Sequence, residues 1–268
     1  MRKSHFVEAA ESCVANGERL LYDAELLAYP DHPGGTPFFL ARIAQEEFAK
    51  AFLLFLAARG VVSWNPLVHR STRDHVFKQL LGLVINHLSP DWDDEQKRSD
   101  EFLADIEEHK RLCAAFDSSS DHREREQIWK KIKGIGDKCD SLPQSVTDAI
   151  FILRRKKIGR WESSTWVWEE EPKYDPLAKS LAEGKLDREK QDALYVLLGR
   201  DGHVGKTPAQ VRYEEAKAAM EVADRMRSFV KFLLSQNAGS GRDFEKIEAA
   251  FKSAFASLSE EERESLTS

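Results

Sequence analysis

The chain has 268 residues, of which 41% are hydrophobic and 32% are charged, so it is long enough to bury a sizeable core and its composition excludes a disordered protein. Its formal net charge of -6 excludes a nucleic-acid coat that works by bulk charge, because such binding needs many lysines and arginines to neutralise phosphates. Any contact with RNA must therefore be local.

The cysteines argue against a metal centre and against disulfides. Cys13, Cys113 and Cys139 are odd in number, and none lies at Cys-x-x-Cys spacing. No signal peptide is evident at the start of the sequence. The pattern predicts reduced thiols in a cytoplasmic protein, and we expect no metal site and no cofactor.

Three helices are predicted in the first 89 residues, from the apolar periodicity and the turn signals between them. The turn "YPDHPGG" ends the first helix. Pro37 suits the first turn of the second helix and Gly60 suits its end, while Ser89 and Pro90 stop the third. Such helices would form an up-and-down bundle. Their predicted spans are about 5–27, 37–59 and 66–88.

The second helix contains the most apolar stretch, "FFLARIAQEEFAKAFLLFLAARG". Arg42, Glu46, Glu47 and Lys50 interrupt it well short of the roughly 18 uninterrupted apolar residues that a membrane-spanning helix needs. The stretch therefore predicts a buried helix of a soluble protein with no membrane contact.

The rest of the chain is also predicted to be mainly helical and to belong to one domain, 1–268. The segment "ALYVLL" predicts one short strand or hairpin near 193–198. A long amphipathic helix from Pro208 to about Gln236 and a last helix follow it. The predicted divisions are the core helices in 1–89, a helical insertion with a Trp-rich connector in 90–190, and the strand, closing helix and C-terminal helix in 191–268.

The charged residues of the second helix fall on a narrow stripe. At about 100° per residue, Arg42, Glu46 and Lys50 lie along it, with Glu47 to the side. Charges inside a bundle are costly unless they are paired, so the stripe must have partners. In one interpretation Glu46 bridges Arg42 and Lys50 within the helix. In the other, Glu46 and Glu47 orient cations on a neighbouring helix.

The third helix contains "HRSTRDHVFK", which holds the one Arg-x-x-x-x-His spacing in the chain, Arg70 to His75. If the helix is continuous, Arg70 and Arg73 face the bundle, while His75 and Lys78 share another face. His75 then points about 140° away from Arg70. The two can act on one phosphate if the helix begins between them or if a second subunit completes the site. Otherwise His75 is a solvated helix residue.

A basic run near residue 155 has two interpretations. It can track a nucleic-acid backbone, or it can be a set of solvated cations at a helix C-terminus, where cations are favoured. The run consists of Arg154, Arg155, Lys156, Lys157 and Arg160.

The pattern as a whole resembles a known family. "ARIAQEEFAKAFLL" followed by "RDHVFKQL" is similar to the Glu-Glu-x-x-Lys and His-x-x-Lys helices of AbiV-type abortive infection proteins, a branch of the HEPN helical-bundle superfamily. "DALYVLLGRDGHVGKTPAQVRYEEAKAAMEVADRM" resembles that family's Leu-Tyr-Val strand, Pro-led turn and closing helix. The resemblance covers roughly the first 90 residues and residues 190–235.

The resemblance implies a HEPN-like bundle and a bacterial antiphage effector that arrests growth or translation on infection. Many HEPN proteins are metal-independent ribonucleases that act as homodimers, with an Arg-x(4-6)-His motif from each subunit at a shared cleft. Arg70 and His75 match this motif, although Ser71 stands where the nucleases often have Asn, Asp or His. The residues that match the supporting motifs are Glu46, Glu47, Lys50 and Lys78, and we add Arg73.

In the ribonuclease that the resemblance implies, His75 moves protons, Arg70 clamps the phosphate and Lys78 helps to hold the RNA strand. The alternative is a non-catalytic antiphage effector that binds a phage protein or the translation machinery. A phage protein is the expected trigger in either case.

Overall fold

The computed structural model describes most of the chain, in five ranges: 3–89, 92–158, 174–196, 207–236 and 242–256. Within these ranges the chain forms α-helices, one short 3-10 helix at Pro208–Gln210 and no strand, so the fold is mainly α as predicted. The helices are α1 Lys3–Leu27, α2 Gly35–Ala58, α3 Pro66–Ser71, α4 His75–Leu88, α5 Trp92–Ser118, α6 His122–Asp140, α7 Gln144–Ile158, α8 Pro176–Ala182, α9 Lys185–Asp192, α10 Tyr213–Gln236 and α11 Arg242–Ala256.

The chain divides into two compact units. The bundle unit comprises Met1–Ser89 and Gln144–Ser268, and the α5–α6 unit comprises Pro90–Pro143. In the α5–α6 unit the two helices pack on each other, with the rings of Phe116 and Trp129 6.0 Å apart. The single domain that the sequence predicts stays a prediction.

Helix α2 is the centre of the bundle unit and packs against α1, α4 and α10. Its apolar residues are enclosed, and Phe48 and Phe52 have no exposed surface. Gly17 lets α1 approach closely, since a Cβ at this position would lie 2.5 Å from Cε1 of Phe48. None of the helices that the structure describes has the length and hydropathy of a membrane-spanning segment.

The predicted third helix is wrong in one respect, because the chain breaks between Ser71 and His75 and forms two helices, α3 and α4. Asp74 is the N-cap from which helix α4 starts, since its side chain accepts a hydrogen bond from the backbone N–H of Phe77 at 3.0 Å. Asn65 caps α3 in the same way, through the N–H of Val68 at 2.9 Å. The second helix starts and ends close to its predicted limits.

The predicted strand at 193–198 is also wrong over its described part. Residues 193–196 form a turn and a bend after α9. The N–H groups of Leu194 and Tyr195 both donate to the carbonyl of Gln191 at 3.0 Å, which uses them in a turn instead of a ladder. Residues 197 and 198 lie outside the described ranges.

Three helices from the predicted insertion contribute to the bundle unit. Helices α7 and α8 pack against α4, and α9 packs against both α2 and α4. This packing brings α9 beside the stripe of polar residues on α2, and a candidate site forms there.

Candidate functional site

Glu46 on α2 is the centre of a buried cluster of charged side chains. It is 3% exposed. Its Oε2 lies 2.6 Å from Nδ1 of His75 and 2.8 Å from Nζ of Lys78, both on α4. Its Oε1 lies 2.9 Å from Nζ of Lys190 on α9 and 3.4 Å from Nε2 of Gln79. The second interpretation has Glu46 and Glu47 beside cations of a neighbouring helix. Glu46 does contact such a cation, Lys78, whereas Glu47 pairs with Lys50 of its own helix.

Lys190 adds a side chain from α9 to this cluster. Its Nζ lies 2.9 Å from Oδ1 of Asp187 and 3.1 Å from Nδ1 of His75, in addition to its bond to Glu46. The side chain is 5% exposed, so its charge depends on these neighbours for stabilisation. We call Glu46, His75, Lys78, Asp187 and Lys190 the Glu46 cluster.

The break between α3 and α4 determines the orientation of His75. As the first residue of α4, His75 keeps 48% of its side chain exposed while its Nδ1 reaches the buried Glu46. The expectation that this side chain faces away from the core is wrong, because the new helix start turns the ring toward α2. The imidazole is at once anchored and accessible.

Arg70 of the motif and the neighbouring Arg73 do not face the bundle as predicted. Arg70 and Arg73 are both exposed, and no described bond joins either guanidinium to Glu46 or Glu47. The prediction that they face the bundle assumed one continuous helix. Because α3 is a separate helix, these arginines point outward, and among the described side chains of α3 Val68 is buried.

The other charged residues of the stripe also do not form the predicted ion pairs with Glu46 within α2. Lys50 pairs with Glu47 at 2.7 Å, and Nη1 of Arg42 donates to Oε1 of Gln45 at 3.0 Å. Glu46 therefore does not bridge Arg42 and Lys50, because α4 and α9 supply cations that lie closer.

Glu46 is ionised despite its burial. Burial alone would raise the pKa of the Glu46 carboxyl, but the ammonium groups of Lys78 and Lys190 outweigh it and lower the pKa below its ordinary value. Two carboxylates and two ammonium groups then sum to zero in the Glu46 cluster when the His75 imidazole is neutral. The five side chains then carry no net charge, and the His75 imidazole lies at the exposed edge of the cluster.

The proton between Glu46 and His75 is best placed on Nδ1. Two unprotonated acceptors 2.6 Å apart would repel each other, so we assign an Nδ1–H that donates to Oε2 of Glu46. The Lys190 ammonium, 3.1 Å from the same nitrogen, then makes no hydrogen bond to it and is held by the carboxylates of Glu46 and Asp187. With Nδ1 occupied, Nε2 is the nitrogen that is left to exchange a proton with a ligand.

With this geometry established, comparison with known proteins identifies the family. The AbiV model of the HEPN proteins matches residues 5–228. The chain belongs to the AbiV family. The match includes all five residues of the Glu46 cluster, and family membership indicates a protein of abortive infection, that is, of antiphage defence. Searches of curated proteins and of solved structures found no match.

Three residues of the cluster could ligate a metal ion, but the side chain of Lys190 lies between them. Glu46, His75 and Asp187 offer donor atoms that lie within 4.8 Å of one another, an arrangement that could hold a cation. The Lys190 ammonium lies within 3.1 Å of a donor atom of each, so it takes the place of such a cation. We therefore assign these residues to the Glu46 cluster, in which the ammonium of Lys190 lies between them.

Sequence reasoning missed Lys190, Asp187 and Gln79. Helix α9, "KLDREKQD", is almost wholly polar, so no apolar pattern marks the face that Lys190 buries. Lys190 and Glu46 are also 144 residues apart in the chain. Only the fold brings them together.

The basic run lies largely beyond what the structure describes. The backbone of residues 154–157 is in α7, and their side chains, together with Arg160, lie outside the described part of the chain. The proposed nucleic-acid contact of these residues stays a prediction.

Proposed function

We propose that this AbiV protein is a metal-independent ribonuclease that arrests growth or translation when a phage infects the cell. One observation carries the proposal: a half-exposed imidazole, His75, is held by a buried carboxylate, Glu46. A carboxylate that accepts from Nδ1 fixes the ring and its tautomer and leaves Nε2 to move protons, which is the arrangement that general acid–base catalysis requires.

The reaction is transfer of the phosphate to the neighbouring ribose oxygen. Nε2 of His75 takes the proton of the RNA 2′-hydroxyl as its oxygen forms a bond to the 3′-phosphorus. The bond from phosphorus to the 5′-oxygen breaks, and an imidazolium returns a proton to that oxygen. The products are a 2′,3′-cyclic phosphate and a free 5′-hydroxyl. Histidine suits both steps because its ordinary pKa lies near neutrality.

Lys78 and Lys190 serve this chemistry by holding Glu46. Two ammonium groups within 2.9 Å keep the carboxylate ionised and fixed in position, so it continues to accept from His75. They act as positioning residues, because a carboxylate that took up a proton or rotated would release the ring. This role differs from the strand-holding role predicted for Lys78.

Arg70 is proposed to clamp the phosphate from the second subunit of a homodimer. Its guanidinium is exposed and can therefore meet a ligand, and an arginine fork suits the charge that develops on phosphate oxygens. An isologous dimer would place each Arg70 opposite the His75 of the other copy.

A non-catalytic effector is the competing function. The observation in its favour is that no described bond joins Arg70 to the Glu46 cluster, although α4 begins between Arg70 and His75. In that case the exposed residues of α3 and α4 would contact a phage protein or the translation machinery.

Expression in bacteria separates the two functions. We expect wild type to protect a culture from phage with fragmentation of cellular RNA, and His75→Ala to lose both effects. His69→Ala is the matched control, because His69 is an exposed histidine nearby on α3. Full protection by His75→Ala without RNA fragmentation would overturn the nuclease and support the effector.

A further inference from the structure

A cavity of about 280 Å³ lies in the bundle unit beside the Glu46 cluster. Its walls come from α2, α4, α8, α9 and α10, and Glu46 and Lys78 belong to both the cavity and the cluster. Its volume is at the small end of the range for ligand sites, so it suits one compact molecule or one group of a larger ligand. A ligand in this cavity would lie next to the residues that hold His75.

The wall of the cavity contains more polar groups than the protein satisfies. Three buried atoms of lining residues have no hydrogen-bond partner among the described residues: Nε of Arg42, Oε1 of Gln79 and Oδ1 of Asn86. Gln79 itself is only 8% exposed. Folded proteins pair nearly all of their buried polar atoms. None of these three atoms is itself exposed to the cavity, but each belongs to a side chain that lines it, so rotation of the side chain would present the atom to a partner from outside the chain.

The wall of the cavity also has apolar parts. Between the polar side chains lie those of Leu83, Leu181, Leu186 and Met226. A cavity with apolar faces and a polar edge fits a flat ring whose faces are apolar and whose edge carries donors and acceptors. Nucleobases have this character, and proteins recognise them by packing against the ring and hydrogen bonding to its edge.

The unpaired atoms indicate which hydrogen-bonding edge of a nucleobase would complement the cavity. Nε2 of Gln79 donates to Oε1 of Glu46, so the amide oxygen of Gln79 is its free end. Two unpaired acceptors, on Gln79 and Asn86, and one unpaired donor, on Arg42, complement an edge with two donor hydrogens and one acceptor. Adenine, cytosine and guanine offer such an edge through their amino groups, whereas uracil has one donor and two acceptors.

The charge of the lining residues suits a nucleotide. Three cations, Arg42, Lys78 and Lys185, stand against two carboxylates, Glu46 and Glu189, so the lining carries one net positive charge. A phosphate attached to the base would therefore be attracted to the cavity mouth.

We propose that this cavity binds an amino-substituted nucleobase, namely adenine, cytosine or guanine, in preference to uracil. The base belongs either to the RNA that is cleaved at His75 or to a free mononucleotide. The first source rests on the proposed ribonuclease function and makes the cavity its specificity pocket. The second does not depend on that function.

Binding of AMP, CMP, GMP and UMP to the purified full chain, measured by calorimetry, tests the proposal. We expect at least one of the amino-bearing nucleotides to bind at least about tenfold more tightly than UMP, the discrimination typical of a site whose buried polar groups are left unpaired by the wrong ligand. Equal binding of UMP and of the best amino-bearing nucleotide, or no binding of any of the four to folded protein, would overturn it.

Two variants locate the binding. Gly82→Leu fills the cavity, and α4 tolerates it because a Cβ at Gly82 meets only Cε of Met226, at 3.7 Å. Asn86→Leu removes one acceptor and serves if the first variant does not fold. Each should weaken binding at least about tenfold, while Asn16→Leu, the same change on an exposed face of α1, should leave binding unchanged. Unchanged binding in the folded cavity variants would contradict the proposal.

Competition by single-stranded RNA, measured with His75→Ala protein to prevent cleavage, identifies the source of the base. Displacement of the mononucleotide by an adenosine-, cytidine- or guanosine-containing strand but not by polyuridine assigns the base to RNA. Tight mononucleotide binding without competition assigns it to a free nucleotide. If RNA is cleaved through His75 but no nucleotide binds, the cavity proposal fails and the ribonuclease survives. If nucleotides bind and no RNA is cleaved, the reverse holds.

Discussion

Nδ1 of His75 lies 2.6 Å from Oε2 of Glu46, and this contact connects a half-exposed ring on α4 with a carboxylate that is 3% exposed on α2. The carboxylate in turn is held by two lysines from different helices. Stability and the proposed chemistry therefore depend on the same side chain, and the following predictions separate the two.

Replacing Glu46 should destabilise the fold far more than replacing Glu47. Glu46→Gln leaves the buried ammonium of Lys78 without its carboxylate and leaves Lys190 with Asp187 alone, so we expect the free energy of unfolding to fall by about 3–5 kcal/mol. Glu47→Gln breaks a pair with Lys50 that retains access to solvent and should cost about 0–1 kcal/mol. Urea denaturation of both variants measures the difference, and equal losses would mean that Glu46 is not the centre of the cluster.

The stabilisation from Glu46 should disappear in acid. Its pKa is lower in the folded protein than in the unfolded chain, so the unfolded chain takes up the proton first as the pH falls. The contribution is complete above the unfolded pKa of about 4.3 and is lost as the pH falls through the folded-state pKa. The difference in unfolding free energy between wild type and Glu46→Gln should therefore shrink below about pH 4. A difference independent of pH would contradict an ionised Glu46.

Sequence reasoning could locate α2 and its polar stripe because apolar periodicity and turn residues are local signals. It also selected Glu46, His75 and Lys78, three of the five residues of the cluster. The break before His75 has a local signal too, since Asp74 precedes an apolar run and suits a helix N-cap, but the preceding "HRST" continued the helical pattern. Lys190 has no such signal, because its burial depends on how α9 packs against α2.

Lys190 should be coupled energetically to Glu46. Lys190→Met removes one ammonium and leaves Glu46 paired with Lys78, so the loss should be smaller than that of Glu46→Gln. In the double variant only Lys78 is left without its carboxylate. The combined loss should therefore be less than the sum of the single losses by about 1–3 kcal/mol. Additive losses in the same denaturation series would show that the 2.9 Å contact carries no net interaction.

The homodimer should be detected by its molar mass in solution and by the RNA cleavage of mixed variants. Light scattering at micromolar concentration should show two copies of the chain. If Arg70 and His75 act from different subunits, an equal mixture of inactive Arg70→Ala and His75→Ala proteins should regain about a quarter of wild-type cleavage after subunit exchange. About half of the dimers are then mixed, and each mixed dimer contains one intact site of two. Arg73→Ala provides a matched arginine control. A monomer in solution, or a mixture that stays inactive after subunit exchange, would contradict a shared site.

Cleavage of a single-stranded RNA by the purified protein tests the role of His75 most directly. In the presence of EDTA, wild type should produce fragments that end in a 2′,3′-cyclic phosphate. His75→Ala should be at least about a hundredfold slower, the scale of a lost general acid or base. His69→Ala should match wild type, and circular dichroism should show that both variants are folded. Cleavage by folded His75→Ala at the wild-type rate would contradict the proposed role of His75.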